Sequence, residues 1–175
     1  MKASIELETQ AALHIAALMA AAARPAPKTR GIDNIRVLAI EDEPSRQRLV
    51  DKMKEIARLE GRPSFERDAN CVAPAPAILV IGVETNSAGL NCGFCGHRTC
   101  ESLEAANGIC AFNSVDLGIA ACSAAETAGR LHADNRLMYS IGRAALDLGL
   151  FDEKVRQALG IPLSITGKSP YFDRK

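Results

Sequence analysis

No excess of charge of either sign marks this chain: lysine plus arginine number 21, aspartate plus glutamate number 21, and the formal net charge is zero. That balance leaves no electrostatic footprint for nucleic acid or for an anionic membrane, and both are set aside as partners. Long hydrophobic runs are missing too. The most extended, Ala11 to Ala23, is interrupted by His14 and is too short and alanine-rich to span a bilayer. It does not read as a secretory leader either, because Glu6 and Glu8 follow Lys2 where a leader carries positive charge. It reads as a buried helix of a cytoplasmic protein. Histidine is scarce, and the three present lie in unrelated contexts. No Ser-His-Asp or Cys-His set can be assembled from them, so no catalytic residue is named. Internal repeats and low-complexity linkers are absent. At 47% hydrophobic and 24% charged residues, the 175-residue chain reads as one globular domain, 1–175.

What is present alternates between helix and strand. Ile5–Ala23 predicts a first helix, ended by Arg24-Pro25-Ala26-Pro27, since proline restricts the residue before it. Lys28 to Asn34 is a basic, turn-rich connection to a strand at Ile35–Ile40. Glu43-Pro44-Ser45 opens a second helix that runs to about Leu59, with Gly61 past its end. Ala77–Val83 is apolar without alternation, which predicts a central strand. Asn113 to Leu131, rich in small residues and apolar on nearly all sides, reads as a buried helix. Asp134 is expected to cap a further helix that stops at Gly149, with Asp134-Asn135-Arg136 as cap and surface residues. Asp152 is expected to start a short helix, and Ile161–Ile165 to form an edge strand that tolerates Pro162. The fold class is therefore α/β (α+β), with a central sheet, buried Ala- and Gly-rich helices, and a cysteine loop embedded at 88–112.

Cysteine is the residue in surplus. Four of six lie between Cys92 and Cys110 in the pattern C-x2-C-x4-C-x9-C, while Cys71 and Cys122 stand apart. Disulfide frameworks belong to small secreted domains, and clustered thiols in a cytosolic chain more often bind metal or do redox chemistry. A cubane cluster needs four converging thiolates. C-x2-C turns two inward from one tight loop, and Gly93 and Gly96 give the backbone freedom for it. Thr99 and Glu101 place Cys100 at a helix start, and Asn107-Gly108 turns the chain back so that Cys110 closes the site. Zinc is the alternative, although its structural sites usually show two close ligand pairs and only one occurs here. Disulfides or free thiols are the remaining reading. His97, inside the loop, reads as a donor to the ligands or a solvent-facing residue. Cys71 and Cys122 read as packing residues.

Two further features bear on phosphate binding. Gly167-Lys168-Ser169 imitates the end of a P-loop, but Pro162 stands where that pattern requires glycine. Arg24, Lys28 and Arg30 put three cations around a helix end, either as a solvated basic turn or as a grip for a phosphate.

The run N-C-G-F-C-G-H-R-T-C with a fourth cysteine after a short helix resembles the four-cysteine 4Fe-4S domain of several redox and corrinoid proteins. The segments A-R-P-A-P-K-T-R-G-I-D, D-N-R-L-M-Y-S-I-G and G-I-P-L-S-I-T-G-K-S-P-Y-F-D-R are similar to an uncharacterised family described as containing a ferredoxin domain. That resemblance implies a 4Fe-4S cluster on Cys92, Cys95, Cys100 and Cys110. An N-terminal helix running into an Arg-rich turn, with a small-residue central helix, also resembles the nitroreductase fold. It implies an FMN-binding homodimer, with Arg24, Lys28 and Arg30 on the flavin phosphate and Lys168 as a further charge. Three functions follow as expectations. The first is electron transfer or redox sensing by the cluster with a redox partner protein. The second is a flavin-dependent oxidoreductase fed by the cluster, and the third a structural zinc site.

Overall fold

The backbone groups of Ile35–Ile40 (β1), Ile78–Glu84 (β2), Asp134–Asn135 (β3) and Val155–Ser164 (β4) pair into one antiparallel sheet of order β1-β2-β4-β3. This is a computed structural model, and it describes residues 1–172. Alternate side chains of a strand point to opposite faces, and here both faces are covered. Leu79, Ile81, Val83, Ile161 and Leu163 meet the helices Ser4–Ala23 (α1) and Ala111–Arg130 (α5). Ile78, Val80 and Ala158 meet Glu43–Glu60 (α2), Pro63–Val72 (α3) and Tyr139–Asp147 (α6). The unbroken apolar character of β2 has this cause: it is buried from both sides.

Local signals place most boundaries. Asp42 caps α2 by accepting from the Ser45 N–H at 2.8 Å, and Gly61 ends it with φ 65°. Gly149, φ 65°, follows α6. The structure also corrects several expectations. Asp134 lies in β3 and caps nothing; α6 starts five residues later, with Met138 at its N-cap. Residues from Asp152 form a turn that feeds β4, not a helix. Ile161–Ile165 is not an edge strand, because most of it belongs to β4, between β2 and β3.

Pro162 is tolerated there because of its direction. The Leu163 N–H donates to Ala77 on the β2 side, so the proline nitrogen faces the other way. On that side pairing lapses between the Asn135–Leu163 pair and the Met138–Gly160 bridge. The helices α1 and α5 each bury one face only. The first two turns of α1 are largely exposed, and Val115, Ile119 and Cys122 of α5 face outward. Among the described residues, no helix is long and apolar enough to cross a membrane.

Candidate metal centre

The cysteine loop leaves the C-terminal end of β2 and returns at the start of α5, with the short helix Cys100–Ala105 (α4) inside it. Tight turns shape its first half. Asn91, Gly93 and Gly96 have φ of 48°, 73° and 85°, and the Gly96 N–H donates to the Gly93 carbonyl at 2.9 Å. A left-handed backbone is cheap for glycine and accessible to asparagine. Asn91 also accepts from the Cys100 N–H at 2.8 Å, which ties the two halves of the motif together. Thr99 caps α4, accepting from the Ser102 N–H at 3.1 Å.

The return is equally determined. Asn107, φ 51°, turns the chain, and the Gly108 N–H closes onto the Leu103 carbonyl at 2.9 Å. Arg156 of β4 grips this turn twice, donating to Asn107 Oδ1 and to its carbonyl, both at 3.0 Å. Cys110 is then the N-cap of α5. The free N–H groups of that helix's first turn favour negative charge at its end.

Cys92, Cys95, Cys100 and Cys110 all line one small cavity, with His97, Phe94 and Phe112 in its wall. Exposure falls along the motif: Cys92 is exposed, Cys95 and Cys100 half-buried, and Cys110 buried. Phe94 packs on Phe112 with ring centroids 5.3 Å apart, a partial apolar screen over the thiols. Cys71 lies instead in the layer of α2, α3 and α6, where burial pushes its thiol up from the ordinary range. Neither Cys71 nor Cys122 lines the cavity.

The donor set fits an iron–sulfur cluster in kind and number, four thiols on one cavity. The void among them measures about 10 Å³, room for roughly one water. Among the described residues, no three His, Cys, Asp or Glu side chains converge as on a single ion.

Of the three cations of the N-terminal turn only Arg30 reaches this loop, and each is already engaged. Arg24 forms a two-pronged pair with Asp33 and also donates to the Ile35 carbonyl. Lys28 donates to the Arg24 and Ala26 carbonyls at the end of α1. Arg30, at a left-handed φ of 59°, donates to the Ala88 carbonyl at 2.7 Å and so holds the entry of the cysteine loop. Next to it, the buried Asp116 of α5 accepts from the Thr29 N–H at 3.0 and 3.2 Å and from its hydroxyl at 3.0 Å. The 3-10 turn Thr29–Gly31 thus ties the entry of the loop to the helix that ends it. Sequence reasoning missed this junction and the Arg156 clamp; Asn91, next to Cys92, was the legible signal for the first crosslink.

The Arg24–Asp33 pair gives a pH prediction. Partial burial raises the Asp33 carboxyl, but the Arg24 hydrogen bond and charge outweigh it and hold it below its ordinary value. A depressed carboxyl stabilises the fold above its unfolded-state pKa and loses that contribution as pH falls through the folded value. Urea unfolding should show Asp33→Asn less stable than wild type near neutral pH, with the gap closing as pH falls through and below the ordinary aspartate range. A gap that persists in acid would show that the pair contributes by packing instead.

A family model described as "uncharacterized protein containing a ferredoxin domain" (DUF2148) matches residues 106–174, which include Cys110 but not the other three cysteines of the motif. The chain belongs to this family. A relative from Archaeoglobus fulgidus, itself described as an uncharacterized protein, is 41% identical over 168 residues, 91% of this chain and 89% of that protein. The fold is that of the nitroreductases. A nitroreductase with bound FMN from Desulfitobacterium hafniense superimposes with a TM-score of 0.63 at 16% identity, over 96% of this chain and 80% of that one. A nitroreductase family protein from Clostridium novyi gives 0.63 at 12% identity, over 87% and 73%. A BluB-like flavoprotein from Clostridium difficile gives 0.60 at 16%, over 89% and 81%.

Proposed function

We propose that this chain holds a 4Fe-4S cluster on Cys92, Cys95, Cys100 and Cys110 and serves in single-electron transfer or redox sensing with a protein partner. The observation that carries this is the presence of four thiols, from a tight loop, a helix start and a helix N-cap, in the wall of one cavity. The ferredoxin-domain description of its family supports the same chemistry. When bound, such a cluster supplies a one-electron couple whose potential depends on hydrogen bonding and exposure. On this reading the cavity wall sets the exposure, with Phe94 and Phe112 packed together beside the thiols. Free thiols suit the reducing cytoplasm. The test is the visible spectrum of protein purified without oxygen. A broad brown absorbance bleached by dithionite is expected; colourless protein with bound zinc overturns the reading.

Folding should report the same event. Cys110 opens α5, and metal binding often couples to local order. Removing the metal is expected to lower amide-exchange protection through Ile109 to Ala120. Unchanged exchange there would make the loop an independent appendage.

A second reading is favoured by one observation, the fold shared with a nitroreductase that binds FMN. On that reading the chain is a homodimeric oxidoreductase in which the cluster feeds a flavin, with Arg24, Lys28 and Arg30 turned to its phosphate. Each cation would exchange a protein partner for the phosphate. Fluorescence titration with FMN tests it: absence of saturable binding at micromolar FMN, or binding that survives Arg24→Ala with Arg30→Ala, removes this site.

A further inference from the structure

Cys110 differs from the other three thiols of the motif in being buried, and the chain around it is held by β4. Two neighbouring residues of that strand bracket it. Arg156 donates to Asn107 Oδ1 and to the Asn107 carbonyl, both at 3.0 Å, three residues before Cys110. Gln157 accepts from the Ser114 hydroxyl at 2.9 Å, four residues after it. Adjacent residues of a regular strand point to opposite faces, yet both of these reach the segment 107–114. An irregularity in the sheet accounts for this. Val83 of β2 pairs with Gln157 and Glu84 with Val155, so the ladder steps over Arg156. A bulge of this kind bends its strand and re-aims a side chain.

The turn that Arg156 grips is tightly built. Asn107 is left-handed, and a Cβ at Gly108 would collide with the Leu103 side chain. A guanidinium that moves this turn therefore moves Cys110 with it. Both acceptors of Arg156 are uncharged, and it forms no ion pair among the described residues. No carboxylate neutralises it, and Asn107 is at most roughly 11 Å of extended chain from Cys110.

We propose that Arg156 is a positioning residue of the metal centre. Its two-pronged grip fixes where Cys110 is delivered, and its charge favours the reduced, more negative state of the bound group. A planar fork can make both bonds at once, which an ammonium on a flexible stem does not reproduce. The charge role rests on the cluster proposed above, whereas the positioning role holds for any metal on these thiols.

Two variants separate the roles: Arg156→Lys keeps the charge and loses the fork, and Arg156→Gln loses both. Arg156 is exposed, so neither touches the core. The positioning role is read by titrating the whole reduced chain with cobalt(II) and following the thiolate-to-cobalt absorbance. Both variants are expected to bind about tenfold or more weakly than wild type, the usual cost of losing a group that holds a metal ligand in place. The charge role is read from the midpoint potential of anaerobic, cluster-loaded protein. Arg156→Gln is expected to lower it, shifting the one-electron equilibrium toward the oxidised form roughly two- to tenfold. Arg156→Lys is expected to match wild type. A residue that acted by structure alone would move both potentials alike or neither. Wild-type cobalt affinity in both variants, or no cobalt binding by wild type, overturns the positioning role. Equal potentials in the two variants overturn the charge role. Wild-type protein that assembles no cluster removes the charge role together with that reading, and the cobalt titration still decides the positioning.

Discussion

Serine at Cys92, Cys95, Cys100 or Cys110 is expected to cut bound iron and sulfide from about four each per chain to near zero in anaerobic preparations. Serine preserves size and leaves the loop's turns in place, so the loss isolates ligation from folding. Soft thiolate is what iron–sulfur sites select, and a hydroxyl does not replace it. The four positions should differ in their second effect. Cys92 and Cys95 sit in the exposed half of the loop, so their variants should keep the stability of the apoprotein. Cys110 is buried at the start of α5, and its serine variant should also lower the unfolding midpoint. Cys71→Ser and Cys122→Ser should retain full iron, because neither side chain borders the cavity. Iron that depends on Cys71 or Cys122 but not on Cys110 would overturn the ligand set. One zinc per chain in place of iron would leave the ligands standing and change the metal.

Alanine at Gly142 is expected to be among the most damaging single methyl groups that can be added to this fold. A Cβ there would stand 1.8 Å from the Ala158 carbonyl oxygen, 2.3 Å from its carbon and 2.8 Å from the Leu159 nitrogen. These are backbone atoms of β4, held to the central strand β2 by the Gly82–Ala158 and Ile81–Leu159 pairs. The helix must lift instead, which separates Ile141 and Ala145 from the sheet. Overpacking of this kind costs about 3 kcal/mol, a large share of the roughly 5–15 kcal/mol that holds a domain together. Gly118 of α5 is the internal control, since a Cβ there meets nothing within 4 Å. Gly118→Ala should raise stability by about 0.5–1 kcal/mol, the ordinary helix gain. Urea unfolding of the two variants should therefore move in opposite directions. Equal shifts would show that α6 rides less closely on β4 than described.

The sequence made some of this legible because the relevant physics is local. The glycine stops, the start of α4 at Cys100 and the turn at Asn107 depend on neighbouring residues, and each was read correctly; the Asp42 cap of α2, equally local, was not read. The doubly buried strand β2 was legible because burial on both faces removes all alternation. The helix α3 was missed although Pro63 stands at its first position, a favoured place for proline. Gly61 was read correctly as the stop of α2, but nothing was assigned to the residues that follow it. β4 was misjudged for a related reason: Pro162 argued for an edge, and only the gap in pairing beyond it, set by Arg136 and Leu137, explains its tolerance. Asp134 carries a capping side chain, yet the ladder to Ser164 claimed its backbone first. The four cysteines could be grouped from spacing alone. The junction of Thr29, Arg30, Ala88 and Asp116 could not, because it joins residues remote in sequence through one turn.

The pairing of β2 also sets an order of events during assembly. One neighbour, β1, precedes it at modest separation, but the other is β4, where Ile78 meets Pro162. Every cysteine of the motif lies in the stretch between those two residues. Contacts so distant in the chain form late and slowly. Until β4 docks, Arg156 cannot clamp Asn107, and the thiols move independently of one another. On the cluster reading, a nascent chain presents four loose, oxidisable sulfurs for the whole of this interval, and the yield of cluster-loaded protein is expected to fall when reductant is withheld before the sheet closes.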